Sequence, residues 1–313
     1  MIIPKTPVDK KKYCKNASFA SSARECWEAI LEHEQVEIGS DKLSVLLPAY
    51  IGRTDREGSG IFDPVLSRDV KYSFYKIDHK LNIDWEEFES DLESSGCQLL
   101  LIVHYFGFYF SKTREMIELC RKKNIVVVED CAHLFNFNQV ISPAGKYSDY
   151  CFYSIHKNLP VSRGGILQVN SGKVINLKDD PDAENEFVKV IAISEYSKII
   201  QKKRSNFSLL FSKLNEMKGL KPLRSLSEND VPHDFPVLVE DGLREKLYFY
   251  LIDQGIPVIS LYYRLTEEIE EMHFPESYQV SNAILNFPVH QDVSEDHLLF
   301  LVNCLEDFFG SKI

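Results

Sequence analysis

Between residues 17 and 170, short apolar runs of strand length alternate with amphipathic stretches, the pattern that builds a mainly parallel sheet covered by helices. The stretch ASFASSARECWEAILEHE (17–34) has serines where a helix can begin, then Trp27, Ile30 and Leu31 at helical spacing. LSVLLPAY (43–50) reads as a buried strand stopped by Pro48, and KYSFYKID (71–78) as a second strand. DWEEFESDLES (84–94) returns to helix, and CQLLLIVHYFG (97–107) is a strand-length run closed by Gly107. SKTREMIELCRKKN (111–124) sets Met116, Ile117 and Cys120 on one helical face, and IVVVED (125–130) follows as another strand.

The carboxyl-terminal third predicts a smaller α/β unit. VPHDFPVLVED (231–241), IPVIS (256–260) and AILNFPVH (283–290) read as strands; GLREKLYFYLIDQG (242–255) and SEDHLLFLVNCLEDFFG (294–310) read as helices. The expected division is a large domain over 1–205, including an amino-terminal arm, and a small domain over 206–313. Tyr262, Tyr263 and Phe274 in the small unit are assigned to packing.

A chain of 313 residues with 44% hydrophobic content can bury a large core. Its formal charge of −11 argues against a broad nucleic-acid or anionic-lipid surface, while leaving room for a local basic pocket. Seven scattered cysteines without C-x-x-C spacing fit reduced thiols, and no metal site is implied. The amino terminus lacks an apolar signal-peptide core, and no stretch reaches the roughly 20 apolar residues of a membrane span. The expectation is a cytoplasmic protein without nucleic-acid or membrane partners.

In an open α/β sheet, ligands gather beyond the carboxyl ends of the strands. Glu129 and Asp130 stand at such an end, either as site carboxylates or as plain polar residues where a strand meets solvent. DYCFYSIHKNLPVSRGGILQVN (149–170) breaks from an aromatic strand into His156, Lys157 and Asn158, then returns through Gly164 and Gly165. Lys157 is thus a candidate for an amine held in a cleft, against the ordinary alternative of a solvated loop lysine.

Six segments in order carry a resemblance to a known family: LLPAY (46–50), DHKLNID (78–84), IVHYFGF (102–108), VVVEDCAHLF (126–135), YSIHKNLPVSRGG (153–165) and LNFPVHQDVSEDH (285–297). In these the chain resembles the pyridoxal-phosphate-dependent nucleotide-sugar aminotransferases of the DegT/DnrJ type, of the aspartate-aminotransferase fold (fold type I). The resemblance implies a three-layer α/β/α large domain with a mainly parallel sheet, a small carboxyl-terminal α/β domain, and pyridoxal 5'-phosphate as cofactor. It also implies a glutamate-like amino donor, a nucleotide-linked ketosugar acceptor, a place in polysaccharide biosynthesis, and a homodimer.

By the same resemblance, Lys157 matches the Schiff-base lysine, which also shuttles the proton during transamination, and Asp130 the carboxylate that keeps the pyridine nitrogen protonated. His133 falls where the family has a glutamine or histidine near the ring and its phenolic oxygen; a core histidine bonded to a carbonyl is the alternative. Glu129 and Cys131 are expected to point away by strand alternation. Ser22 and Ala23 match the phosphate-binding segment at a helix start, where serine caps are the parallel reading, and Ser154 is a further hydroxyl candidate.

The chain departs from the family pattern in three ways. Gly52 and the polar insertion RTDREGSG (53–60) stand where an aromatic usually covers the cofactor face, which leaves Tyr50 or a loop residue as the substitute. The chain is short, and NLKDDPDAENEFVKVIAISEYSKIIQKKRSNF (176–207) holds nothing like the motif that reaches across the family's dimer interface. A dehydratase or other elimination enzyme, and a catalytically silent cofactor- or ligand-binding regulatory subunit, therefore stand as alternatives.

Overall fold

A computed structural model describes residues 17–54, 58–134, 136–137, 141–193 and 196–310. The amino-terminal arm, Cys14, Phe135 and part of the 53–60 insertion lie outside them.

The chain begins with β1 (Ala17–Ala20), α1 (Ala23–Ile38), β2 (Ser44–Pro48), α2 (Phe62–Ser67), β3 (Lys71–Tyr75), α3 (Trp85–Ser95), β4 (Leu99–Val103), α4 (Thr113–Lys122) and β5 (Val126–Asp130). It continues through β6 (Tyr150–Ser154), β7 (Gly165–Val169), α5 (Pro181–Ile193), α6 (Tyr196–Leu214), β8 (Leu220–Pro222), β9 (Asp234–Val239), α7 (Arg244–Asp253), α8 (Pro275–Ala283), β10 (Ile284–Pro288) and α9 (Glu295–Gly310).

Seven strands form one sheet in the order β1-β7-β6-β5-β4-β2-β3. Pairing is parallel from β3 across to β6, and β7 runs antiparallel to both β6 and β1. The central parallel strands β4 and β5 are covered on both faces: Leu99 to Ile102 and Val127 to Asp130 are all buried. Helix α1 buries Cys26, Trp27, Ile30 and Leu31, the stripe expected from its spacing, and lies against β6 and β7. Because β4, β5 and β6 point the same way, Val103, Asp130 and Ser154 end side by side at one edge of the sheet.

A second, three-stranded antiparallel sheet has the order β10-β9-β8. Here the run 256–260, expected as a strand, makes only an isolated bridge between Ile259 and Asn286. Ile259 is exposed, so the stretch has no second sheet face to bury. Helix α6 continues through residue 205 without a break.

The connection after β4 ties the two sheets together. Gly107, at φ 81°, lets the chain approach so closely that a Cβ there would lie 1.9 Å from the Val231 carbonyl oxygen. Val231 N–H donates to Gly107 O at 2.9 Å, and His233 N–H donates to Phe106 O at 2.8 Å. These bonds bring His233, just before β9, to the end of β5.

The six described cysteines are buried as free thiols. Among the described residues no helix is long and apolar enough to cross a membrane, and no cluster of three or more His, Cys, Asp or Glu stands ready for a metal ion.

Candidate active site

A cavity of about 880 Å³ opens over the carboxyl ends of β4, β5 and β6. Ser22, Ala23, Asp130, His133, Ser154 and Lys157 all line it, so six of the seven expected site residues meet in one space. The seventh does not. Tyr50 is fully buried one layer beneath the wall, its ring 5.3 Å from that of Tyr262, and Tyr262 lines the cavity in its place.

Asp130 ends β5 with its carboxylate buried, and Oδ1 accepts the Ala132 N–H at 2.8 Å. Burial pushes its pKa above the usual carboxylate value, while the Ala132 N–H, Lys157 and His104 pull it back. Its neighbour Glu129 turns the other way, to His104 Nε2 at 2.7 Å, and Cys131 is buried in a separate apolar cluster. Strand alternation thus separates two adjacent carboxylates into a cavity group and a core group.

Lys157, exposed to solvent in the turn between β6 and β7, places Nζ 3.1 Å from His133 Nε2. Burial and the nearby Lys157 charge hold the His133 pKa well below its ordinary value, so the ring is neutral. Its Nδ1 accepts the Phe106 N–H at 3.4 Å, which puts the ring proton on Nε2. His233 stacks on His133 at 4.9 Å and 7° between planes, with a pKa likewise lowered by burial.

Behind this layer lies a buried lysine. Lys203 of α6 donates to Asn158 Oδ1 at 3.0 Å, and Asn158 Nδ2 in turn reaches Ser154 O at 3.3 Å and Ala132 O at 3.5 Å. The residue after Lys157 is thereby tied to the ends of both flanking strands. Burial lowers the Lys203 pKa from 10.5 to about 8, with Asp234 opposing the shift. Between those values the unfolded chain holds a proton that the folded one has lost, so stability gains with rising pH from this group. The stability difference between wild type and Lys203→Met is therefore expected to move in favour of wild type from pH 8 to 10.5, measured by urea unfolding. Parallel curves would refute the assignment.

At the other end of the cavity stands the amino terminus of α1. Ser22 is its N-cap, with the hydroxyl accepting the Glu25 N–H at 3.2 Å, and the Glu25 carboxylate reaches back to accept from Ser21 N–H and Oγ–H, the residue before the cap. Gly164 N–H donates to Ser21 O at 2.9 Å, and a Cβ on Gly165 would lie 2.2 Å from Ser22 O. The glycine pair therefore lets β7 press against the first turn of α1, holding the helix start beside the lysine loop. Gly165→Ala is expected to cost about 1–3 kcal/mol by overpacking and to weaken anion binding at Ser22, read by thermal unfolding and phosphate-ester binding.

The Ser154 hydroxyl lines the cavity and lies 3.5 Å from His156 Nδ1. Farther out are Arg24, Arg53, Tyr248, Tyr263 and Arg264, and Asp130 is the sole carboxylate among the described lining residues. Tyr262 and Tyr263, assigned to packing from the sequence, thus face the cavity. Lys203, His233 and these arginines carried no local sequence signal, and His104 lies in the 102–108 motif without a role read for it. The YYR at 262–264, an aromatic pair and a cation after a failed strand, was the one available hint.

The mixed seven-stranded sheet with its cavity at the strand ends has the fold-type-I architecture that the motifs imply. The resemblance read from the motifs is borne out: residues 63–177 match the sequence model of the DegT/DnrJ/EryC1/StrS aminotransferase family. That span contains the 78–84, 102–108, 126–135 and 153–165 motifs. A sequence search of curated proteins found no match.

Among solved structures, the chain is similar to the aminotransferase TlmJ from Streptoalloteichus hindustanus: 16% identity, TM-score 0.75, covering 95% of this chain and 86% of that one. It is similar to PseC from Helicobacter pylori, an aminotransferase involved in pseudoaminic acid biosynthesis, at 15% identity and TM-score 0.76, covering 95% and 88%. Spr1654 from Streptococcus pneumoniae, described as a sugar aminotransferase and solved in its PLP-form, matches at 16% identity and TM-score 0.72, covering 97% and 90%.

Proposed function

We propose that the protein is a pyridoxal-phosphate-dependent aminotransferase that takes an amino group from a glutamate-like amino acid and passes it to a nucleotide-linked ketosugar. The observation that carries this reading is one cavity with the Lys157 amine, the buried Asp130 carboxylate and the start of α1 on its walls. The donor set fits pyridoxal phosphate: an amine for its aldehyde, a carboxylate for its ring nitrogen, and free helix N–H groups for its phosphate.

Pyridoxal phosphate, when bound, supplies an aldehyde that takes up the donor's amine and a ring that withdraws electrons from the substrate carbon. Lys157 would hold that group through its amine and would carry the proton from the substrate Cα. The uncharged form of that amine would be the one able to do both, with His133 Nε2 3.1 Å away. Asp130, oriented by Ala132 N–H, would keep the ring nitrogen protonated. His133 would hold the ring side of the group, and the Ser22 and Ala23 N–H groups with the Ser154 hydroxyl would hold its phosphate.

Although the chain carries a net charge of −11, the outer cavity presents Arg24, Arg53 and Arg264. This local reversal of sign suits a dianionic acceptor, such as a sugar diphosphonucleoside, and the donor's carboxylates. On this reading the enzyme works as a cytoplasmic homodimer in polysaccharide biosynthesis. The test is a donor screen on protein loaded with pyridoxal phosphate, followed by ketosugar acceptors. Glutamate or a relative is expected to bleach the visible band and an acceptor to restore it. A band that no donor bleaches would instead favour a silent binding subunit.

A further inference from the structure

The geometry points to Tyr262 as the aromatic wall of the cofactor pocket, delivered from the carboxyl-terminal part of the chain into the space above Gly52. The inference rests on the reading of the cavity as a pyridoxal phosphate site and adds a residue that the motifs do not supply.

Three observations carry it. First, Gly52 is excluded from holding a side chain while Tyr262 stands where it does: a Cβ there would lie 2.5 Å from Tyr262 Cδ1 and 3.0 Å from its Cα. The glycine that looked like a loss of the aromatic is the space that another aromatic fills. Second, Tyr262 keeps a left-handed backbone, φ 60°, a conformation unfavourable to a bulky residue and held only when its surroundings dictate it. Ser281 Oγ donates to its carbonyl at 2.8 Å. On either side of the Gly52–Leu265 bridge, Arg53 N–H donates to Arg264 O at 3.1 Å and Thr266 N–H to Ile51 O at 3.0 Å. The segment after Tyr262 is thus strapped in antiparallel fashion onto the segment around Gly52, and the ring position is fixed by both.

Third, the ring faces the right groups. Its centroid lies 6.1 Å from that of His133, and it lines the same cavity as Asp130, Ala132 and Lys157. Tyr50 and Tyr105 back it at 5.3 and 5.8 Å. Burial and the nearby Asp130 and Asp234 carboxylates push the phenol pKa upward, so it presents a neutral, electron-rich face. Such a face suits a flat ring that carries a positive charge on its nitrogen. Tyr263 and Arg264 follow directly and line the outer cavity, so the same strap that seats the ring wall also sets the acceptor wall.

The test compares pyridoxal phosphate affinity, by visible absorbance and fluorescence quenching, and the induced circular dichroism of the bound band. Wild type, Tyr262→Phe, Tyr262→Leu, Gly52→Phe and the double variant Gly52→Phe/Tyr262→Ala are compared, with unfolding midpoints recorded for each. Tyr262→Phe is expected to match wild type, and Tyr262→Leu, which keeps apolar volume without a π-face, to bind about tenfold more weakly with altered dichroism. Gly52→Phe alone is expected to lower the unfolding midpoint, and the double variant to recover both midpoint and affinity. If wild type binds and Tyr262→Leu binds equally well with the same dichroism, the assignment of Tyr262 is overturned while the cofactor reading stands. If wild type binds no pyridoxal phosphate, both fall together.

Discussion

Lys157→Ala is expected to abolish the visible band that pyridoxal phosphate forms on the protein and to reduce kcat by at least about a thousandfold. The size follows from two roles that the proposed function rests on one atom: Nζ would both hold the aldehyde carbon and carry the substrate proton. Deleting the side chain also leaves the His133 Nε2–H without its partner at 3.1 Å. The fold should survive, because Lys157 is exposed in a turn whose other anchors, Asn158 and the Gly164 N–H, are untouched. An unchanged unfolding midpoint with a vanished band would place the loss in the chemistry. A variant that keeps both the band and turnover would remove Lys157 from the site.

Asp130→Asn is expected to leave cofactor binding within about tenfold and to lower kcat by roughly 10²–10³. The amide oxygen still accepts the Ala132 N–H, so the geometry of the β5 end persists. What disappears is the negative charge opposite the ring nitrogen. In the protein alone that charge is disfavoured by burial, and a cationic ring nitrogen is the partner that makes it favourable. Single-turnover measurement of donor bleaching separates this from a binding defect: the band forms at ordinary cofactor concentration but bleaches slowly. Asp130→Asn bleaching at the wild-type rate would contradict the role given to the carboxylate.

The two variants differ in what they reveal about the sequence. Lys157 and Asp130 were legible because each sits at a break in a periodic pattern, where a buried strand gives way to polar residues, and because family motifs surround them. The parallel sheet was legible for the same reason: VVV at 126–128 and LLLIV at 99–103 leave no polar face for solvent. Helix α2 and strand β8 escaped because one is six residues long with Pro64 inside it and the other is three residues ending at Pro222.

Tyr50 and Tyr262 show a deeper limit. The sequence poses the question of what covers the space beside Gly52, but answering it requires knowing that residues 51–53 pair with 264–266, more than 200 positions away. No local periodicity encodes that pairing. Lys203 escaped for a related reason: a lysine in the helix sequence KIIQKKRSNF looks solvated, and only the packing of α6 under the 157–158 turn buries it.

The central claim, that this cavity is a pyridoxal phosphate site built on Lys157, is tested most directly by reducing the loaded protein with borohydride and mapping the modified peptide by mass spectrometry. The account predicts a single pyridoxyl group on the peptide containing Lys157, absent from Lys157→Ala. A pyridoxyl group found instead on Lys203 or another lysine, or none at all after saturation with cofactor, would contradict it.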